Sequence, residues 1–95
     1  MLPAMPTYVI ERHIPGVGKM SAEELRVISQ KSNEILSGLG PTIRWLHSYF
    51  VDDAIFCVYE AEGHDLILEH ARCMGIPATH IHEVRAIASP ATGAK

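Results

Sequence analysis

Six histidines, at positions 13, 47, 64, 70, 80 and 82, are the residues of this chain best suited to chemistry. Imidazole changes charge near neutral pH and is the commonest protein ligand for transition metals. His80 and His82 form an H-x-H pair whose side chains share one face of an extended chain, a spacing that suits a single divalent ion. His13 can approach that pair from the end of the first strand. His47 lies among aromatics, with Glu60 nearby on the same strand face, and a carboxylate beside an imidazole either binds the metal or orients the ring. His70 falls on the apolar stripe of a helix, where an imidazole stays neutral or finds a partner. The candidate metal ligands are therefore His47, Glu60, His70, His80 and His82.

His70 supports a second chemistry, that of a small-molecule pocket in which it serves as general base or hydrogen-bond donor. Tyr49, Tyr59, Ser48 and Cys57 would shape that pocket. A plainer structural role stands beside each assignment. His70 is then a core histidine hydrogen-bonded to Tyr59 or a carbonyl, His47 is paired to Glu60 for structure alone, and His80 and His82 are surface residues at a strand start. His64 is a helix-start residue, and Cys57 is a small buried hydrophobe.

Six elements must position these groups. Thr7–Ile14 is rich in β-formers and ends at Pro15-Gly16, a strand followed by a turn. Ser21-Ala22-Glu23-Glu24 is a capping box, and Leu25, Ile28, Ser32, Ile35, Leu36 and Leu39 recur at helical spacing. This helix runs to about Ser37, with Gly38 or Gly40 as its left-handed exit before Pro41. Ile43–Val51 and Ala54–Ala61 form a hairpin around Asp52-Asp53. Residues 64–74 form a second helix with Ile67, His70, Ala71 and Met74 inward. His82–Ala88 reads as the last strand, and 89–95 as a small, polar, fraying tail.

The order β-α-β-β-α-β specifies an α+β, ferredoxin-like domain, with a four-stranded antiparallel sheet carrying two helices on one face. At 95 residues the chain holds one such domain. A regular two-residue hairpin turn pairs Tyr49 with Phe56, His47 with Val58 and Trp45 with Glu60. Trp45, His47, Tyr49, Phe56, Val58 and Glu60 then share one face, and Leu46, Ser48, Phe50, Ile55, Cys57 and Tyr59 the other. Both sets are largely apolar, so the face without helices also requires cover, and a homodimer supplies it most simply.

Composition narrows the function classes. The net charge of −3 and eight scattered Lys and Arg offer no basic face for nucleic acid. No apolar run approaches membrane-spanning length, and the first residues lack the features of a secretory leader, so a cytoplasmic location is expected. Cys57 and Cys73 form neither a C-x-x-C site nor a disulfide framework. No phosphate-binding glycine loop, nucleophile elbow or clustered zinc spacing occurs, so the sequence carries no catalytic signature.

Tyr8-Val9-Ile10-Glu11-Arg12, Trp45-Leu46-His47-Ser48-Tyr49, Ile55-Phe56-Cys57-Val58-Tyr59-Glu60-Ala61 and Glu69-His70-Ala71-Arg72, with Gly75-Ile76-Pro77 and Glu83-Val84, together resemble a family of small bacterial proteins labelled nickel-binding. The resemblance spans about Thr7 to Pro90. It implies a ferredoxin-like subunit that forms a dimeric α/β barrel, and nickel binding in one actinobacterial branch. His-Ser-Tyr in the second strand and His-Ala-Arg in the second helix mark a different subgroup, so the resemblance assigns no ligands residue by residue. Three functions are consistent with these features: a protein binding nickel or another divalent transition metal through histidines, a small-molecule or cofactor-free enzyme site around His70, and a non-catalytic dimeric interaction module.

Overall fold

The computed structural model describes residues 5–94, so the first four residues and Lys95 of the tail lie outside it. Its elements are β1 (Thr7–His13), α1 (Ala22–Leu39), β2 (Ile43–Phe50), β3 (Ala54–Ala61), α2 (His64–Met74) and β4 (His80–Glu83), with short 3-10 turns at Val17–Lys19 and Pro90–Gly93. The four strands form one antiparallel sheet in the order β2-β3-β1-β4. That order and the two intervening helices are the expected α+β, ferredoxin-like arrangement. No described helix is long and apolar enough to cross a membrane.

Local sequence explains the helix limits. The Ser21 hydroxyl accepts from the Glu24 amide at 3.1 Å, while the Glu24 carboxylate accepts from the Ser21 amide at 3.2 Å. This reciprocal cap satisfies two donors that the first helical turn cannot. α1 continues through Gly38 and ends at Gly40, whose φ of 91° excludes most side chains. α2 ends at Gly75 in the left-handed conformation, and the Ile76 amide returns to the Ala71 carbonyl.

The core lies between helices and sheet. Tyr8 and Ile10 of β1, Ile55, Cys57, Tyr59 and Ala61 of β3, and Ile43 of β2 point toward the helices and are buried. Ile67, His70, Ala71 and Met74 of α2 close over them. Ile10 and Ile67 are almost fully buried, each contributing about 1.5–3 kcal/mol of burial free energy.

Two sequence expectations require correction. β2 carries a β-bulge between Trp45 and His47, so Trp45 lies opposite Tyr59, and Glu60 faces Arg44. The pairs Tyr49–Phe56 and His47–Val58 occur as the two-residue turn requires, but the extra residue Leu46 turns Trp45 to the helix side. The last strand begins at His80 and ends at Glu83, in place of His82–Ala88. Its ladder is exhausted there: β4 pairs only with β1, and the Val84 amide donates to Thr7, the first residue of β1.

Candidate functional site

Register places a histidine cluster on the sheet face that carries no helix. β1 presents Val9, Glu11 and His13 on that face, and β4 sets His82 beside Val9 and His80 beside Glu11. The Glu11 carboxylate is the hub. One oxygen bonds Nε2 of His13, and the other lies 3.6 Å from Nε2 of His82. The rings of His13 and His80 meet edge to face at 5.8 Å between centroids, and those of His80 and His82 lie 6.0 Å apart. The His13 hydrogen bond holds the Glu11 carboxyl below its ordinary pKa, opposed by partial desolvation and aided by the charges of His13 and His80. Glu11 is thus an anion at neutral pH, beside three imidazoles.

That donor set suits nickel, zinc or copper equally. Among the described residues, no three His, Cys, Asp or Glu side chains surround a shared metal position. The four groups are gathered, and the Glu11–His13 hydrogen bond occupies the lone pairs a metal would take. The backbone therefore supplies the proximity, and the side chains must turn to coordinate.

The remaining candidate ligands lie elsewhere. His47 packs edge to face on Tyr49 at 5.1 Å on β2, which β3 separates from β1. Glu60 forms its ion pair with Arg44, its neighbour across the bulged ladder, and not with His47. His70 is on the helix side of the sheet, 1% exposed and remote from the cluster. Sequence spacing singled out His80 and His82 as a pair; the position of Glu11 between them and His13 follows only from the β1–β4 register.

A second constellation surrounds His70. A half-open cavity of about 40 Å³ lies between the helices and the sheet, with His70, Tyr59, Ser48 and Cys57 in its lining. Tyr49, the fifth pocket residue expected from sequence, points to the opposite face and is 61% exposed, because it alternates with Ser48 along β2. Trp45 and Ser32 join the lining in its place. His70 Nε2 lies 3.0 Å from the Ser32 hydroxyl, and Nδ1 lies 3.4 Å from the Tyr59 hydroxyl. Burial, and then the charge of Arg12, lower the His70 pKa to about 4, so the ring is neutral at physiological pH. Burial raises the Tyr59 phenol to about 12, with Cys57 adding to the shift and Arg12 opposing it.

Arg12 lies behind this cavity and is fully buried. Its Nη1 donates to the Pro77 carbonyl at 2.9 Å and its Nε to Cys57 Sγ at 3.4 Å. Nη2 has no hydrogen-bond partner.

Comparison with known proteins places these observations in a family. No curated protein matches the chain. Its structure resembles the crystal structure of SCO4226 from Streptomyces coelicolor A3(2), with a TM-score of 0.71 at 15% sequence identity, covering 86% of this chain and 99% of that one. At that identity the likeness establishes the shared fold. Residues 8–84 match the model of the nickel-responsive protein family named SCO4226-like. That span runs from the first strand to just past the last, and this chain belongs to the SCO4226-like family of nickel-responsive proteins.

Proposed function

We propose that this protein binds nickel, or a divalent transition ion of similar preference, through Glu11, His13, His80 and His82 on the helix-free face of its sheet. The observation that carries the reading is one ionised carboxylate approached by two imidazoles from different strands, with a third imidazole against them. Family membership favours nickel among the ions this donor set accepts. Binding requires each ligating imidazole to be neutral, so affinity falls as the pH drops through the histidine range.

A homodimer fits the same face. Val9, Phe56 and Val58 are half-buried there, Leu46 and Tyr49 are exposed, and no helix covers them. A second copy laid across this face buries that apolar surface and encloses the histidine cluster.

Titration calorimetry of metal-free protein with nickel chloride tests the metal reading. Saturable binding is expected, at least tenfold weaker in a His80→Ala, His82→Ala double variant and unchanged in His47→Ala. Affinity weaker than about 100 μM, a free energy near −5.5 kcal/mol, or an unaffected double variant, refutes it. Sedimentation equilibrium of wild type and Tyr49→Asp tests the dimer, with a shift toward monomer expected in the variant.

A further inference from the structure

The cavity beside His70 is lined by two serine hydroxyls, Ser32 and Ser48, whose hydrogens are free to donate into it while each oxygen keeps one further lone pair. Trp45 Nε1 donates to the Ser48 hydroxyl at 2.9 Å. Because an indole N–H only donates, Ser48 must accept there, and its own hydrogen is left for the cavity. A second chain of bonds ends in the same way. The positive charge of Arg12 favours the Tyr59 oxygen facing it and the phenol hydrogen turned away, onto His70 Nδ1. The neutral ring then carries its hydrogen on Nε2 and donates to Ser32, whose hydroxyl hydrogen is released toward the cavity that it lines.

Charge points the same way as the hydrogen bonds. The buried group of Arg12, Tyr59 and His70 carries one positive charge at neutral pH, because the ring and the phenol are both uncharged. No carboxylate pairs with Arg12 among the described residues, and its Nη2 has no partner. A buried, uncompensated cation is costly, and an anion brought near it through low-dielectric surroundings is strongly favoured. The rest of the cavity wall is formed by Ile28, Ser29, Phe50, Ile55, Met74 and Ile76, apolar except for Ser29. Its volume of about 40 Å³ is room for roughly three water molecules. That excludes nucleotides and sugars and leaves room for a small head group with a short apolar tail directed at the mouth.

We propose that this cavity binds a short-chain monocarboxylate, its head group accepting from Ser32 and Ser48 and its charge balanced by Arg12 behind Cys57 and Tyr59. The site is on the opposite side of the sheet from the histidine cluster and is independent of nickel.

Trp45 is the only tryptophan in the chain and lines the cavity, so its fluorescence reports occupancy directly. Metal-free protein at neutral pH is titrated with sodium butyrate, and separately with butyramide, at ionic strength held constant with sodium chloride. The expected result is a saturable change in Trp45 emission with butyrate, and binding of butyramide weaker by about tenfold or more. Ser32→Ala is expected to weaken butyrate binding by about tenfold, roughly the value of one hydrogen bond to a charged group. Absence of a saturable signal with butyrate overturns the proposal, as does equal affinity for the neutral amide. If the Ser32 variant fails to fold, the comparison of acid with amide on wild-type protein decides alone. Nickel added to saturation leaves the butyrate affinity unchanged if the two sites are separate.

Discussion

The indole of Trp45 donates to the hydroxyl of Ser48 across a β-bulge, at 2.9 Å, and both residues face the helices. Two residues three apart in a regular strand point to opposite faces; Leu46 is the extra residue that brings them together. Deleting Leu46 leaves Trp45 opposite Tyr59 and His47 opposite Val58, a regular ladder with Trp45 still inward. The deletion is therefore expected to fold, to keep the emission maximum of a shielded tryptophan, and to lose about 1–2 kcal/mol through the disturbed hydrogen bond. Emission typical of a solvated indole would show that Trp45 had changed faces.

The bulge marks the limit of what the sequence makes legible. β-formers, the capping box and the Pro and Gly breaks suffice for the order of elements. The helical spacing of Ile67, His70, Ala71 and Met74 places the inner stripe of α2 correctly, because each signal is local. Register is not local. Nothing in Trp45-Leu46-His47 announces an unpaired residue, so strict alternation carries Trp45 to the wrong face and sets it, in place of Arg44, opposite Glu60. The same kind of information is missing at Glu11, a mid-strand acid whose relation to three histidines depends on how β4 aligns with β1. Around His70, by contrast, helix period and strand alternation were enough to bring Tyr59, Ser48 and Cys57 together, and only Tyr49 fell outside.

Gly18 and Gly38 should respond oppositely to the same substitution. A Cβ on Gly18 would lie 2.5 Å from the Val51 carbonyl oxygen and 2.8 Å from the Asp52 Cα. Those atoms are backbone of the β2–β3 turn, to which the Gly18 amide donates at Asp52, so they cannot swing aside. Gly18→Ala is expected to cost about 1–3 kcal/mol. Gly38 has open space at its Cβ position and sits inside α1, so Gly38→Ala is expected to gain about 0.5–1 kcal/mol. Urea unfolding midpoints measure both; equal effects would contradict the packing of Gly18 on the turn.

His70 makes stability depend on pH over a defined window. In the unfolded chain its imidazole protonates near the ordinary 6.5, while in the fold protonation waits until about 4. Between these values the unfolded state binds more protons, so stability rises with pH. The contribution is complete above about pH 6.5 and is lost as the pH falls toward 4. The full drop from 6.5 to about 4 amounts to at most about 3.5 kcal/mol at about 1.4 kcal/mol per pH unit. Unfolding free energies measured across that window should fall steeply in wild type and less in His70→Gln. Parallel slopes would mean that another group carries the effect.

Arg12 provides a further test of the same interior, because its charge is the second cause of the low His70 pKa, after burial. In Arg12→Met the imidazole should titrate at higher pH than in wild type while remaining below its ordinary value, since the ring is still buried. Histidine ring resonances followed by NMR through an acid titration measure the shift. Stability at neutral pH should change by no more than about 1–2 kcal/mol, because loss of the bonds to Pro77 and Cys57 is offset by removal of a buried charge with one nitrogen unpartnered. A loss well beyond that would show that the guanidinium is better solvated or better paired than its surroundings indicate. An unmoved His70 titration would show that the charge of Arg12 does not reach the ring, and the carboxylate proposal would lose its electrostatic basis with it.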